Sequence, residues 1–391
     1  MVYVGIDVAK DKHDCYIVSS EGEAPFGNFT ITNNVDGFEL LFSRIESLTQ
    51  DLSKVKVGLE ATGHYSYNII GFLLDKGLHT LVINPLHTNL FRKAQSLRKT
   101  KTDKVDARTI ANMLMSEVNL KSYSTALYHN EELRSLTRYR FDLVSKRAKF
   151  KQSLSRLVVI LFPELEKLFA TLHSDAVYAL LLEAPDVKQI ASMHITRLEH
   201  ILKIASKGRH GKKKALEVRD ASRRSVGSSI TAKSMELKNT IQLIKMLSES
   251  IDDVEAKIET MMNEIKSPIL SIPGISYRMG TMILAEIGDI SRFSSSDKLL
   301  AYTGLSPSTY QSGQMNSSHS RMEKRGSRYL RFALYNATKC VCLWDPIFAT
   351  YLAKKLAEGK HYNVAISHAA KKLLRVIFAI LHSNEVYRAV I

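Results

Sequence analysis

Cysteine is scarce in this chain: three in 391 residues, at Cys15, Cys340 and Cys342. Three thiols cannot staple a secreted disulfide scaffold. None belongs to a Cys-x-x-Cys pair, so a structural zinc site is not expected. Cys340 and Cys342 fall on an apolar helical pattern and read as core residues. Long apolar runs are missing as well. A membrane-spanning helix needs about 18 or more uncharged apolar residues in a row, and no such run occurs. The opening MVYVGIDVAK reads as a strand start with an early Asp, not as a basic segment leading into a signal peptide. Low-complexity tracts and internal repeats are not apparent. Acidic residues are in deficit: 39 Asp and Glu stand against 55 Lys and Arg, a formal charge of +16. The 45% of hydrophobic residues is enough to build real cores and excludes global disorder. A soluble protein of a reducing compartment is expected, in two or three domains. Its charge points first to nucleic acid and second to an acidic membrane surface.

The first 125 residues read as alternating strands and helices. Short apolar runs at Val2–Ile6, Cys15–Val18, Phe26–Ile31, Val55–Leu59 and Leu78–Ile83 predict strands. Helices are expected over Asp36–Leu48 and Tyr65–Asp75, the second closed by Gly77, and from Asp103 onward through Val105, Ile110, Met113 and Leu114. The pattern predicts an α/β domain with a mixed sheet. The middle differs in kind. Leu237, Ile241, Ile244, Leu247, Ile251, Val254, Ile258, Met261 and Ile265 recur at spacings of three and four, which predicts a long coiled-coil-type helix. Leu133, Leu136, Leu143, Phe150, Leu154, Leu157 and Leu161 form a looser seam, interrupted by Arg140 and Arg147 and ended or bent by Pro163. Two long helices packed antiparallel within one chain account for both, and pairing between chains is compatible with the same seams. Between them, residues 203–224 hold nine Lys and Arg against Glu217 and Asp220, including Lys212, Lys213 and Lys214. That stretch reads as a solvated loop or hairpin tip, with phosphate contact favoured by the net charge. After Pro268, the run Ile272-Pro273-Gly274-Ile275 followed by an apolar helix resembles a helix-hairpin-helix start. The division is therefore 1–125, 126–266 and 267–391, and the last part reads as mostly helical.

Four carboxylates stand out. Asp7 and Glu60 each end a strand, and Asp103 and Asp106 share one face of a helix start. Such groups can converge into a site for a hard divalent cation, which binds carboxylates and substrate phosphate oxygens together. Singly, each has a plainer role: strand end, turn, N-cap, or acid at a helix N-terminus. Their surroundings favour chemistry. Between residues 92 and 108 lie Arg92, Lys93, Arg98, Lys99, Lys101, Lys104 and Arg108, with Asp103 and Asp106 the only acids. Ser312 lies beside Gly313 after the Gly304-Leu305-Ser306-Pro307 turn and before Arg321, Lys324, Arg325, Arg328 and Arg331. A serine hydroxyl needs activation to act as a nucleophile, and this spacing alone reads first as a serine that caps a turn.

GIDVAKDKHD, GLEATGHY and KTDKVDARTIA, in that order, resemble the signature of the DEDD transposases of the IS110 insertion-sequence family. SIPGISYRMGTMILAEIGDISRF, LAYTGLSPSTYQSG and KRGSRYLRFALYNA match in the C-terminal half. The resemblance covers nearly the full length, least well near residues 170–230. It implies a RuvC-like domain of the ribonuclease H fold, a helical middle, and a C-terminal transposase domain. It implies Mg²⁺ or Mn²⁺ held by Asp7, Glu60, Asp103 and Asp106, and Ser312 as a nucleophile forming a phosphoserine link to DNA. Expected partners are double-stranded DNA at element ends and target, a structured non-coding bridge RNA, and further copies of the chain in a dimer or tetramer. A cytoplasmic, nucleoid-associated place in a prokaryote follows, with no membrane role. A site-specific invertase of the same family, a metal-dependent junction resolvase and a nucleic-acid-binding scaffold are the other readings.

Overall fold

The computed structural model describes residues 1–60, 65–83, 88–89, 91–92, 94, 103–116, 125–306, 311–312, 315–316 and 322–389; for 103–104, 125–130, 311–312 and 315–316 it describes the backbone alone. The chain divides into two units, Met1–Glu132 and Leu133–Ile391. The second unit thus holds both the long helices and the C-terminal helices.

The first unit is built on one mixed sheet of β1 (Val2–Val8), β2 (Lys12–Ser19), β3 (Asn28–Thr32), β4 (Val55–Glu60) and β5 (His79–Ile83), in the order β3-β2-β1-β4-β5. β1, β2 and β3 form an antiparallel meander, whereas β4 and β5 run parallel to β1. This is the ribonuclease H-like arrangement. Alternation along each strand sends side chains to two different cores. Val4, Ile6, Cys15, Ile17, Val57 and Leu59 pack with Phe38, Leu41 and Ile45 of α1 (Val35–Glu46) and Ile69, Ile70 and Leu73 of α2 (Tyr67–Asp75). Tyr3, Tyr16, Val18, Leu81 and Ile83 face the other way, against Ala107, Ile110, Ala111 and Leu114 of α3 (Asp103–Met115). Gly5 and Gly58 let α3 come close. A Cβ on Gly5 would overlap the Ala107 carbonyl oxygen, and one on Gly58 would lie 3.0 Å from a Leu114 methyl. Gly77, at φ +75°, closes α2 through amide bonds from Gly77 to Leu74 and from Leu78 to Leu73.

The two long helices are α4 (Thr125–Leu161), which belongs to the second unit from Leu133 on, and α10 (Thr231–Ile265). Leu133 and Leu143 share a core with Leu247, Ile251, Val254, Ile258 and Met262. The two arginines that interrupt the sequence seam lie on this interface. Arg140 bonds Glu255 at 2.6 Å and Arg147 bonds Ser248 at 3.1 Å. Seven residues forward on α4 match seven residues back on α10, so the pair is antiparallel within the chain. Between them sits a helical lobe of α5 (Leu165–Leu168), α6 (Asp175–Glu183), α7 (Val187–Ser192), α8 (Ile195–Ala205) and α9 (Lys212–Arg223). Its core joins Leu157 and Phe162 to Val177, Leu181, Ile190, Leu198, Leu202 and Val218. Most of the basic stretch expected as a loop or hairpin tip is helix, because Ala215, Val218 and Ser222 recur at spacings of three and four and are buried.

The C-terminal helices are α11 (Tyr277–Ile287), α12 (Ser296–Thr303), α13 (Arg328–Trp344), α14 (Pro346–Ala357) and α15 (Tyr362–Ser383). Ile283, Leu299, Leu330, Leu334, Val341, Ile366, Leu373 and Ile377 form their core. The first element of the expected helix-hairpin-helix is a single 3₁₀ turn, Pro268–Ser271. Gly274, at φ +85°, is fixed by packing, since a Cβ there would lie 2.7 Å from the Cys340 carbonyl group. Cys342 is buried, but Cys340 is exposed, contrary to the core expected for both. Two residues apart on a helix lie on nearly opposite sides, so only one of the pair can face the core. Among the described residues no helix is long and apolar enough to cross a membrane.

Candidate active site

Asp7 and Glu60 occupy the C-terminal ends of neighbouring parallel strands. Ile6 pairs with Leu59, so Asp7 and Glu60 are one step further on the same register. Neighbouring strands lie about 4.8 Å apart. Each acid follows a glycine by two residues, and those glycines, Gly5 and Gly58, face α3. Period-two alternation puts both carboxylates on the face that α3 covers. Neither is free of other interactions. Asp106 belongs to α3 itself, next to the Ala107 that sits on Gly5, and is 8% exposed. Arg92 holds it with an ion pair of 2.9 Å and bonds Asn89 at 3.1 Å. That pairing has no signal in the sequence, where Arg92 reads only as one of many cations.

Asp103 begins α3, but its side chain lies outside the described residues. Among the described residues no three Asp, Glu, His or Cys side chains group closely enough to hold a metal ion. The sheet brings Asp7 and Glu60 to one edge and one face. Asp106 is on the helix that covers this face, engaged by a guanidinium. The donors are all carboxylate oxygens, the chemistry that suits a hard divalent cation and not a soft one.

Ser312 falls in a small hairpin, where β6 (Gln311–Ser312) pairs antiparallel with β7 (Met315–Asn316). Ser312 opposes Met315; its side chain lies outside the described residues. The two segments that flank this region in sequence are described, and they are laced together. The amides of Glu323, Lys324 and Ser327 donate to the carbonyls of Ser306, Gly304 and Tyr302 at 3.1–3.2 Å. Gly304 and Gly326 have φ of +68° and +97°, and a Cβ on Gly326 would overlap the Tyr302 carbonyl oxygen. Arg331 donates to the Thr303 carbonyl at 3.0 Å.

Below this ladder is a carboxylate that sequence reading missed. Glu286, on α11, is fully buried. It accepts two bonds from Arg138, at 2.6 and 3.0 Å, and one from the Ser327 hydroxyl at 2.5 Å. Ser327 in turn caps α13 by accepting from the Leu330 amide at 3.1 Å. Arg138 also lies over the Tyr329 ring, 4.8 Å from its centroid. A Glu inside an otherwise apolar helix run is the one available signal, because a buried carboxylate needs partners.

The expected nucleic-acid residues divide. Lys212 and Lys213 are exposed at the start of α9, whereas Lys214 is tied to the Leu168 carbonyl at 3.0 Å and to Glu217 at 2.6 Å. Lys324, Arg325 and Arg328 are exposed, Arg328 stacked on Tyr329, and Arg331 is half-buried in the ladder. Arg108 is exposed, over the Tyr16 ring. Lys99, Lys101 and Arg321 lie outside the described residues, as does the side chain of Lys104.

The mixed ribonuclease H-like sheet and the helical unit agree with the class that the family matches define, an enzyme of DNA transposition. Residues 4–163 match the transposase family model of the DEDD IS110 type, and residues 266–353 match the IS116/IS110/IS902 transposase family model. The chain belongs to the IS110 family of transposases and is a DNA transposase or site-specific recombinase. It is 26% identical to the IS900 insertion-element 42 kDa protein of Mycobacterium paratuberculosis, over 99% of this chain and 97% of that protein. It is 25% identical to the pilin gene-inverting protein of Moraxella bovis, over 98% of this chain and 96% of that one. Thermus thermophilus RuvC matches with a TM-score of 0.24 and 13% identity, over 32% of this chain and all of RuvC.

Proposed function

We propose that this chain cuts and rejoins DNA through a phosphoserine intermediate formed by Ser312 at a divalent-metal site of Asp7, Glu60, Asp103 and Asp106. The observation that carries the reading is the presence, in one chain, of carboxylates at the ends of β1 and β4 and a serine hairpin whose flanks are locked by a backbone ladder. Mg²⁺ or Mn²⁺, when bound, supplies Lewis-acid stabilisation of charge on the attacked phosphate. The carboxylates bind and orient; Ser312 Oγ forms a bond to phosphorus, its proton passes to a nearby base, and the backbone P–O bond breaks to leave a free hydroxyl. The phosphoserine ester keeps the energy of the broken diester, so attack by another strand's hydroxyl rejoins DNA and releases the serine. Lys324, Arg325 and Arg328, exposed beside the ladder, hold backbone phosphates.

The three sequence divisions carry distinct work in this reading: catalysis by acids in 1–125, spacing and nucleic-acid contact in 126–266, and the nucleophile in 267–391. A structured RNA pairs with the DNA partners and chooses the sequence, while the protein reads backbone and shape. The charge of +16 and the exposed Lys212 and Lys213 support a nucleic-acid partner beyond one duplex. Exchange of two DNA partners needs more than one active site, which calls for a dimer or tetramer.

Trapped protein–DNA complexes, digested with trypsin and weighed, test the chemistry. The expected result is nucleotide mass on the peptide containing Ser312, its loss in Ser312→Ala, and its loss with EDTA. Asp7→Asn and Glu60→Gln are expected to lower cleavage by about 100-fold or more while DNA binding persists. Normal recombination by Ser312→Ala overturns the serine mechanism. The near full-length similarity to a pilin gene-inverting protein favours inversion as the second outcome, with the same residues and chemistry. Supplying inverted sites on one plasmid, against element ends and a separate target, distinguishes the two.

A further inference from the structure

We infer that the face shared by α14 and α15 grips the phosphate backbone of double-stranded DNA. The inference goes beyond the metal and serine reading and needs neither. His368, Lys371, Lys372 and Arg375 follow the i, i+3, i+4, i+7 spacing of one face of α15. Lys355 stands in the last turn of α14, and Lys360 in the connection to α15. Tyr351 of α14 ties the two helices together. The Lys355 ammonium lies 5.5 Å from its ring centroid, and that of Lys372 lies 5.0 Å from it. Among the described residues two acids pair with these cations. Glu358 bonds Lys355 at 2.8 Å and Lys360 at 2.7 Å. Asp297 of α12 bonds Arg375 at 3.2 Å, but its side chain is 75% exposed, so that pair contributes little. Five Lys and Arg against two acids leave three positive charges in excess before His368 is counted.

The fold itself gains nothing from the charge in the middle of α15. Lys355 and Lys360 sit by the C-terminus of α14, where cations offset the helix dipole. Lys371 and Arg375 are mid-helix and four apart, a spacing at which like charges repel. Lys371 is half-buried and has neither a hydrogen bond nor an ion pair among the described residues. Burial, and then Arg375, holds its ammonium below the ordinary range. Burial, and then Lys371, Lys360 and Lys355, likewise lowers the affinity of His368 for a proton, against the pull of Glu358. A row of phosphates relieves this repulsion at each group. His368 to Arg375 spans about 10 Å of helix. Each DNA strand carries one charge per about 3.4 Å of axis, so the row meets about three phosphates. The chain is an enzyme of DNA recombination, and DNA supplies that polyanion.

The test measures binding of the full chain to a short DNA duplex at several salt concentrations, in EDTA so that no metal takes part. Lys371→Met keeps the length of the side chain and removes its charge. Lys371→Met and Arg375→Ala are each expected to weaken binding and to flatten the salt slope by about one unit. The thermal midpoint of Lys371→Met is expected to stay level or rise, because an unpaired half-buried charge is removed. The charged groups around His368 are Lys371 of α15, Lys355 of α14, and Glu358 and Lys360 between the helices. Phosphates arriving there favour the charged ring, so wild-type binding is expected to tighten as pH falls from about 8 to about 6. His368→Gln is expected to lose that part of the pH dependence. Unchanged salt slopes in both Lys371→Met and Arg375→Ala, or a pH dependence that His368→Gln leaves intact, overturns the inference. An RNA duplex of the same sequence is the second probe, and slopes flattened on RNA alone overturn it in favour of an RNA surface. Substitution of the acids or of Ser312 is expected to leave these slopes as they are, so the two readings fail separately.

Discussion

Single residues at the acidic edge are placed by the smallest side chains beside them. Gly5 and Gly58 sit two residues before Asp7 and Glu60 and admit α3 close to the sheet. A Cβ on Gly5 meets both the Ala107 carbonyl and the Ala111 amide, which are helix backbone and cannot swing aside. Gly5→Ala is therefore expected to destabilise the chain by about 1–3 kcal/mol and to displace the helix that carries Asp106. Urea denaturation measures the first effect. Reduced cleavage at a denaturant concentration where the variant is still folded measures the second. Arg92 acts at the same scale: it holds the Asp106 carboxylate in the described state, so a cation entering there competes with a guanidinium. The thiols are also sorted residue by residue. Burial pushes the Cys15 thiol far up and raises that of Cys342 to about 11, while Cys340 is exposed.

At the scale of elements, charged groups join helices that apolar seams alone leave loosely specified. Glu255 of α10 is shared by Arg140 of α4 and Arg278 of α11, at 2.6 and 2.7 Å. Glu286 of α11 joins α4 through Arg138 and α13 through Ser327. The two networks fix the long helix pair to the C-terminal helices, and the second lies under the ladder that flanks the serine hairpin. Glu286→Ala removes the acceptor of the Ser327 hydroxyl and two bonds of Arg138. Because Arg138 is partly exposed, the expected loss is about 2 kcal/mol or more, below the range for a wholly buried pair. Glu286→Gln keeps an acceptor for Ser327 and is expected to lose less. Chemical denaturation of both variants checks the order, and equal losses would show that the carboxylate charge matters more than the hydrogen bonds.

At the scale of the whole molecule, the dominant quantity is the charge of +16, and the fold decides which cations reach a phosphate. Lys212, Lys213 and Lys214 are equivalent in sequence but not in space. The first two are exposed, and the third is held by Leu168 and Glu217 inside the helical lobe. Replacing Lys212 and Lys213 by Ala is expected to weaken nucleic-acid binding and to flatten its salt dependence by about one unit per contact. Lys214→Ala is expected to lower the stability of the lobe and to leave the salt slope unchanged. Binding isotherms at several salt concentrations separate the outcomes, and identical slopes for all three would remove α9 from the nucleic-acid surface.

The sequence alone determined most of the elements of the first unit, the two long seams and which acids to look at. The five strands, α1 to α3, and the seams of α4 and α10 were legible because periods of two and of three to four are written in the order of residues. Asp7, Glu60 and Asp106 were legible as acids at element ends among cations, and the spaced motifs tied them to one family. Tertiary structure decided everything that depends on what lies opposite. It set Asp14 against Asp7, gave Asp106 to Arg92, buried Glu286 between Arg138 and Ser327, and turned Cys340 outward while Cys342 went in. It also made partners of Arg140 and Glu255, which read in sequence as a flaw in one seam and a polar residue of another. Periodicity records which face a residue occupies; only register and packing decide which charge, hydroxyl or ring it meets there.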